Sequence, residues 1–143
     1  DIEFLAPRLR YEDKREILDS TGLNPYQALR ECFNCSEISL TIVDTKNIPV
    51  GMFGVSEDGA IWLLATPDIK RIRFSFLRES RKVVNLLNHK YKILWNFVDC
   101  RNELHLRWLK WCGFKFLRKI NYGVNQKPFY EFIKLCVYHH KSP

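Results

Sequence analysis

The stretch that decides the fold is Asn102-Glu-Leu-His-Leu-Arg-Trp-Leu-Lys-Trp-Cys-Gly113-Phe114, in the last third of the chain. Its apolar residues recur at helical spacing, and a glycine such as Gly113 commonly ends a helix. The preceding run, Ile93-Leu-Trp-Asn-Phe-Val98, is largely apolar and typical of a buried strand. The order is therefore a strand, a helix capped by Asn102, and a second strand that starts at Phe114. This order predicts an α/β unit.

The rest of the chain extends this alternation in both directions. Apolar and alternating segments predict strands at residues 2–5, 38–43, 48–55, 60–65, 92–98, 114–120 and 129–137. Helical spacing and cap residues predict helices at residues 11–20, 24–34, 66–88 and 101–112. Asp58-Gly59 is a strong hairpin signal. The order β-α-α-β-β-β-α-β-α-β-β predicts an α/β fold, with a mixed, mostly antiparallel sheet of about seven strands flanked by about four helices.

Size and composition predict one domain that covers residues 1–143. The chain has 143 residues, of which 46% are hydrophobic, enough to form a core without disulfides. No apolar run approaches the ~18 residues of a membrane span, so we predict none. The start lacks the basic residues and long apolar run of a signal peptide. Because it begins without Met, we expect that an initiator residue has been lost.

Much of the net charge of +7 lies in one basic segment. Its cations are Lys70, Arg71, Arg73, Arg78, Arg81, Lys82, Lys90 and Lys92. Such a segment attracts polyanions, which include nucleic acid, a phosphorylated cofactor and an acidic protein. The alternative is a solvated helix face. The chain carries no RNP, zinc-finger or helix-turn-helix signature, so nucleic acid is not an expected partner.

The five cysteines form no regular framework, which suits a reducing compartment. Cys32 and Cys35 have C-x-x-C spacing, which supplies two of the four ligands of a zinc site. Cys112 with His139 or His140 would supply the other two. The alternative is a set of ordinary half-buried thiols. The spacing alone is weak, and we predict no metal site.

The element order, together with Asn102, Gly113 and Phe114, resembles the second half of the GCN5-related N-acetyltransferase (GNAT) fold. In that family an Asn opens the helix and Gly-Phe closes it. Within the family the chain is similar to a phage-encoded subgroup, the small protein that T7-like phages encode beside their internal core proteins. The residues that carry this similarity are Leu5-Ala-Pro7, Asp13, Glu16, Pro25, Ala28-Leu29, Leu94-Trp-Asn96, Asn102, His105, Arg107 and Leu109-Lys110. The subgroup is linked to virion assembly.

The resemblance implies acyl transfer from acetyl-CoA, or at least CoA binding, with an amine acceptor that the sequence does not identify. In the family, the strand before the long helix hydrogen-bonds the pantetheine arm, and the loop that opens this helix binds the pyrophosphate. The arm would lie along residues 62–65. The implied cofactor contacts are Leu63, Leu64, Ala65, Lys70, Arg71, Arg73, Phe74, Asn102 and Trp108. The resemblance also implies that the protein is located in the cytoplasm of an infected bacterial host.

Two departures from the family pattern bear on this activity. The family loop is rich in glycine because its backbone approaches phosphate closely, whereas this chain has no Gly between Gly59 and Gly113. We therefore expect weakened or altered CoA binding. Most active members also carry a Tyr where this chain has Leu109. Leucine cannot protonate a leaving thiolate, although thiols ionise near pH ~8.5 and do not strictly require an acid.

Four residues are candidates for the catalytic roles. Glu57 and Asp99 are candidate bases, and His105 and Tyr122 are candidate donors in place of the missing Tyr. Three of them have a structural alternative. His105 suits a hydrogen bond on a helix face and Glu57 a solvated turn, while Asp99 suits a helix cap or a pair with a neighbouring Arg.

The alternative function is a non-catalytic GNAT-fold protein that acts in virion assembly through contacts with phage virion proteins. The missing Tyr and glycines favour it. Trp108 belongs to a helical stripe with Leu104 and Trp111, which predicts core packing as the alternative to ligand stacking. Both functions depend on one expectation about the sheet. The strands at residues 60–65 and 92–98 should part after Ala65 and leave a slot whose rim carries positive charge.

Overall fold

A computed structural model describes residues 1–136, which contain five α-helices and six strands. The helices are α1 (Ile2–Leu5), α2 (Tyr11–Thr21), α3 (Pro25–Cys35), α4 (Arg73–Lys90) and α5 (Glu103–Trp111). The strands are β1 (Ser36–Val43), β2 (Pro49–Ser56), β3 (Ile61–Ala65), β4 (Ile93–Asp99), β5 (Lys115–Tyr122) and β6 (Lys127–Leu135). Short 3-10 helices cover Ala6–Arg8 and Pro67–Ile72.

The strands form two antiparallel sheets, ordered β1-β2-β3 and β4-β6-β5. A single parallel bridge between Ala60 and Trp95 joins them, supported by a hydrogen bond of 3.1 Å from Trp95 N to Gly59 O. The two central strands part immediately after this bridge. The prediction of one sheet of about seven strands is therefore corrected to six described strands in two sheets. The predicted parting of the strands is present, but it begins before Ala65.

The first strand predicted from the sequence is wrong, because residues 2–5 form helix α1. Leu5 N donates to Asp1 O at 2.9 Å and closes the turn. Leu5 is fully buried in a cluster that includes Leu9, Leu29 and Leu64. A segment of four residues, three of them apolar, is too short for a periodicity that separates a strand from a helical turn, so packing decides the conformation.

The other elements agree with the prediction to within a few residues. Asn24 caps α3 through a reciprocal capping box with Gln27. The helix predicted at residues 66–88 begins as a 3-10 turn, in which Thr66 accepts a hydrogen bond from Asp68 N at 3.2 Å. The last predicted strand ends at Leu135, and Val137 lies outside the described residues.

Helices cover both faces of the β1-β2-β3 sheet. Met52 and Leu64 pack against α1, α2 and α3, whereas Phe53 and Leu63 belong to the core that includes α4 and α5. This opposite placement follows from the alternation of side chains along β2 and β3. Among the described residues, no helix combines the length and the apolar character needed to cross a bilayer.

Candidate functional site

Helix α2 reaches both sheets at the point where they have separated. Asp13 and Glu16 lie one turn apart on this helix, so their side chains share a face. Asp13 Oδ2 accepts a hydrogen bond of 2.9 Å from Ala65 N in β3. Glu16 Oε1 accepts one of 2.6 Å from Asp99 N in β4. Two carboxylates of one helix therefore hold the ends of the two parted strands.

Three further side chains complete what we call the Asp13 cluster, which consists of Arg10, Asp13, Glu16, Asn102 and His105. Asn102 Nδ2 donates to Asp13 Oδ1 at 2.9 Å and to Glu16 Oε2 at 3.3 Å. Arg10 Nη1 donates to Asp13 Oδ1 at 3.0 Å. His105 Nε2 lies 3.2 Å from Asp13 Oδ1. Asp13 and Asn102 are fully buried, so the cluster is an internal ionic network.

Asn102 opens α5 as predicted, but its side chain does not cap the helix. The first helical hydrogen bond runs from Leu106 N to Asn102 O at 3.0 Å. The amide side chain points instead into the Asp13 cluster. The predicted capping role is therefore corrected: Nδ2 donates to the two carboxylates of α2, and Oδ1, the atom that would cap the helix, accepts from Arg10 Nη1 at 3.3 Å.

The charges of the cluster shift the pKa values of its members in opposite directions. Burial alone would raise the pKa of Asp13, but His105, Arg10 and the backbone N–H of Ala65 outweigh burial and lower it. Burial alone would lower the pKa of His105, but the attraction of Asp13 and Glu16 raises it. Each shift favours the charged form of its group, so the Asp13 carboxylate and the His105 imidazole stabilise each other's charge.

Glu16 behaves differently because its burial is less well compensated. Burial raises the pKa of Glu16 to about 7, against the opposing attraction of His105, and the nearby Asp13 carboxylate raises it further. A group whose pKa is raised in the folded chain favours folding most below its ordinary pKa, near 4.5 for Glu, and loses this contribution as pH rises through the folded value. The raised pKa of His105 acts in the same direction.

The free energy of unfolding is therefore expected to fall by about 3 kcal/mol between pH 5 and pH 8, the equivalent of the Glu16 shift. Urea denaturation at a series of pH values measures it. Glu16→Gln should flatten this dependence. The matched control Glu103→Gln, at a glutamate whose side chain is 81% exposed, should leave it unchanged. A chain that becomes more stable above pH 6 would contradict the assignment.

The geometry of Asp13, Glu16 and His105 does not favour a metal ion, although their ligand atoms lie within 4.8 Å of one another. Ala65 N, Asn102 and Arg10 already use the oxygens of Asp13, and the Arg10 guanidinium would repel a cation. The cysteines do not offer a clearer site. Burial raises the pKa of Cys32 to about 11, which opposes formation of a thiolate. His139 and His140 lie outside the described residues.

The strand edge predicted to bind the pantetheine arm is largely occupied by the chain itself. Thr66 N donates to Val50 O, so the alternation of antiparallel bonding turns the backbone groups of Leu63 and Ala65 toward the gap between the sheets. Ala65 N donates to Asp13, and Ala65 O accepts from Arg10 N at 2.9 Å. The backbone of Leu63 also faces the gap, but it is bonded to neither Asp13 nor Arg10. Among the residues predicted to contact the arm, Leu63 is therefore the one whose backbone these two residues leave open.

The remaining predicted cofactor residues fall into different environments. Lys70, Arg73 and Trp108 line a cavity of about 770 Å³ between the start of α4, α5 and the start of α2. Arg71 lies 3.5 Å from Asp68 at an exposed position, and the Phe74 side chain is 75% exposed beneath the Arg73 guanidinium. We call this cavity the basic cleft. Its cations are Arg10, Arg15, Lys70, Arg73, Arg101 and Arg107.

A second cavity, of about 500 Å³, lies in the gap between the two sheets. We call it the apolar cavity, and it is lined by Ile17, Leu63, Leu64, Phe97, Leu109 and Phe129, with Glu16, His105 and Tyr122 among its polar residues. The Tyr122 ring stacks on Phe97 with 4.2 Å between centroids, and burial raises the pKa of its hydroxyl. Two of the four candidate catalytic residues, His105 and Tyr122, therefore share one cavity.

The two candidate bases lie elsewhere. Asp99 Oδ2 accepts a hydrogen bond from Arg101 Nη2 at 2.6 Å, which is the pairing considered as its structural alternative. Glu57 is exposed at the hairpin between β2 and β3, in a separate open groove beside Cys35. Glu16 was not among the candidates, although it is a carboxylate beside His105 with a pKa near 7.

Residues 40–120 match the family described as bacteriophage T7, probable scaffold protein Gp13. This match covers more than half of the chain. The chain belongs to this family. No curated protein matches this chain significantly in sequence.

Solved structures show that this chain has the GNAT fold. A GNAT-family acetyltransferase from Bacillus anthracis has a TM-score of 0.64 at 13% identity, covering 94% of this chain and 89% of that chain. A chain of the NatC complex bound to a Gag peptide and CoA has a TM-score of 0.61 at 16% identity, with 90% and 93% covered. Spermidine N-acetyltransferase from Vibrio cholerae, in complex with CoA and spermine, has a TM-score of 0.54 at 13% identity, with 77% and 75% covered. At these identities the similarity establishes the fold alone, and with the phage family it confirms the resemblance stated from the sequence.

Proposed function

We propose that this chain is a non-catalytic GNAT-fold protein that acts in phage virion assembly, through protein contacts, in the cytoplasm of the infected bacterium. The observation that carries the proposal is the occupied backbone of Ala65. Its N–H and C=O, which the resemblance assigns to the cofactor arm, are bonded to Asp13 and Arg10 instead. The family description as a probable scaffold protein supports the same role.

Freeing this edge for a cofactor would disturb the whole Asp13 cluster. Asp13 would lose Ala65 N, and the Arg10 backbone would have to withdraw from Ala65 O. A buried charge that loses one partner is strongly destabilising, so the closed arrangement should persist. The loop after β3 also lacks the glycines that would let its backbone approach a pyrophosphate. Leu109 is 2% exposed and carries no ionisable group.

We therefore expect acetyl-CoA to bind with a Kd above about 1 mM, which corresponds to less than about 4 kcal/mol of binding free energy. Isothermal titration calorimetry measures this, with Vibrio cholerae spermidine N-acetyltransferase as the positive control. Affinity purification of the full chain from infected cells should recover virion proteins. Micromolar binding of acetyl-CoA together with release of free CoA would contradict the proposal.

Acyl transfer from acetyl-CoA to an amine is the second candidate, and Glu16 is the observation that favours it. A carboxylate with a pKa near 7 at the edge of a cavity is suited to accept a proton from an amine. Tyr122 would then protonate the thiolate, and Leu63 would present its backbone to the thioester. Glu57 and Asp99 stay as alternative bases. Turnover of acetyl-CoA with polyamines or peptides that is lost in Glu16→Gln would establish this activity.

A further inference from the structure

We infer that the basic cleft binds an acidic peptide segment of a partner protein, whose carboxylates are held by Arg15, Lys70 and Arg73. The inference rests on the proposed function, because it names the chemistry of one protein contact that assembly would use. Two properties of the cleft carry it: cations that lack a carboxylate, and an apolar wall.

The cations of the cleft divide into a neutralised group and an available group. Arg10 pairs with Asp13 and with Glu12, a carboxylate that also lines the cleft, and Arg101 pairs with Asp19 and Asp99. Arg107 lies 3.9 Å from Glu103. The available cations are Arg15, Lys70 and Arg73, none of which has a carboxylate within 4 Å among residues 1–136. The cleft therefore attracts negative charge that the described chain does not supply.

Two donors beside these cations are buried without an acceptor. The Nε atom of Arg15 and the Nε1 atom of Trp108 make no hydrogen bond within the described part of the chain. The Trp108 side chain is almost completely buried, and both residues line the cleft. Both nitrogen atoms are shielded from solvent, and Trp108 also lines the apolar cavity, so a ligand in the cleft reaches these atoms only after neighbouring side chains move.

The cleft also has an apolar wall formed by Ile69, Phe76, Leu104 and the ring of Trp111. Its volume of about 770 Å³ lies within the ~300–1,000 Å³ typical of pockets that enclose a small ligand. A short segment can enter, whereas a folded domain cannot. An extended peptide alternates its side chains, so acidic residues can meet the cations while apolar residues meet this wall.

Two observations favour a carboxylate ligand over a phosphate ligand. The turn after β3 begins with Pro67, which lacks an N–H, and the N–H of Asp68 donates to the Thr66 side chain. The turn therefore presents few backbone donors to a phosphate. The backbone of Ala65, which a cofactor arm would use, is already bonded within the chain.

The test titrates the full chain with a short peptide of alternating Glu and Leu, and with a matched peptide in which Gln replaces Glu. Binding is followed by calorimetry and by the fluorescence of Trp111. We expect the Glu peptide to bind at least about tenfold more tightly than the Gln peptide, as the loss of charged hydrogen bonds predicts. The double substitution Lys70→Glu and Arg73→Glu should weaken binding of the Glu peptide at least about tenfold. Arg78→Glu should not, because Arg78 is exposed on α4 outside the cleft.

Three results would overturn the inference. These are equal affinity for the two peptides, equal loss in Arg78→Glu, and displacement of the Glu peptide by acetyl-CoA or duplex DNA at lower concentration than the peptide itself. The substituted side chains are exposed, so thermal melts should confirm that the variants fold. If virion proteins are recovered equally by the wild type and by the Lys70→Glu, Arg73→Glu variant, this inference fails while the proposed assembly function stands.

Discussion

Replacing Asp13 with alanine is expected to lower the free energy of unfolding by about 3–5 kcal/mol, the range for removing one partner of a buried ion pair. The substitution removes the acceptor of Ala65 N, the partner of Arg10 and the main counterion of His105. Arg10 and His105 are both more than nine-tenths buried, so water cannot readily replace the lost carboxylate. The damage therefore includes stranded positive charge as well as lost hydrogen bonds.

Urea denaturation followed by circular dichroism measures this loss. The control is Glu12→Ala, which removes the other carboxylate near Arg10, at 3.5 Å and with a side chain that is 42% exposed. Its expected cost is at most about 1 kcal/mol, as for surface ion pairs. Asp13→Asn tests the role of charge, because it retains the shape and one acceptor. Equal stability of Asp13→Ala and Glu12→Ala would show that the cluster does not hold the sheets.

Replacing Gly59 with alanine is expected to cost about 3 kcal/mol or more, because strain and overlap add at this position. Gly59 has φ of +89°, in the region that side chains with a Cβ rarely adopt. A Cβ there would lie 2.0 Å from Ile93 O, a backbone atom that cannot move without shifting β4. Since Gly59 O also accepts from Trp95 N, the substitution would open the Ala60–Trp95 bridge between the sheets.

Gly22→Ala is the matched control for this prediction. Gly22 also has a positive φ, +74°, but its added Cβ would meet Val124 Cγ2 at an ordinary 3.6 Å. It should cost only the conformational strain, about 1–2 kcal/mol. Thermal melts and Trp fluorescence compare the two variants. If both variants lose the same stability, then the backbone conformation alone explains the loss in Gly59→Ala. The overlap of the added Cβ with β4 would then contribute nothing to that loss.

Local sequence signals were sufficient for most elements of the fold. Asn24-Pro25 predicts the start of α3, and the structure adds the capping box with Gln27. Asp58-Gly59 predicts the hairpin between β2 and β3. The same reasoning fails for residues 2–5, whose helical turn depends on packing. It also fails for the number of sheets: the parting of the two central strands was expected, but the strand signals predicted one sheet of about seven strands and the described chain has two sheets of three.

The site was harder to predict because its parts are far apart in sequence. Asp13 and Glu16 carried the resemblance to the phage subgroup, but charged residues on a helix ordinarily face water. Their spacing on one face of α2 was the available signal. The strand atoms that they bind lie 52 and 83 positions away. His105 was predicted as a donor or a helix-face hydrogen bonder, and its place between two carboxylates could not be inferred from α5 alone.

The long reach of α2 has a consequence for the order of events during synthesis. Asp13 and Asn102 are 89 positions apart, so the first sheet leaves the ribosome well before the amide that completes the cluster. Until then Glu16 lacks its partners Asp99 N and Asn102, and α2 has no strand of the second sheet to hold. Contacts between such distant positions form slowly. The nascent chain would therefore acquire its final shape late, when α5 arrives.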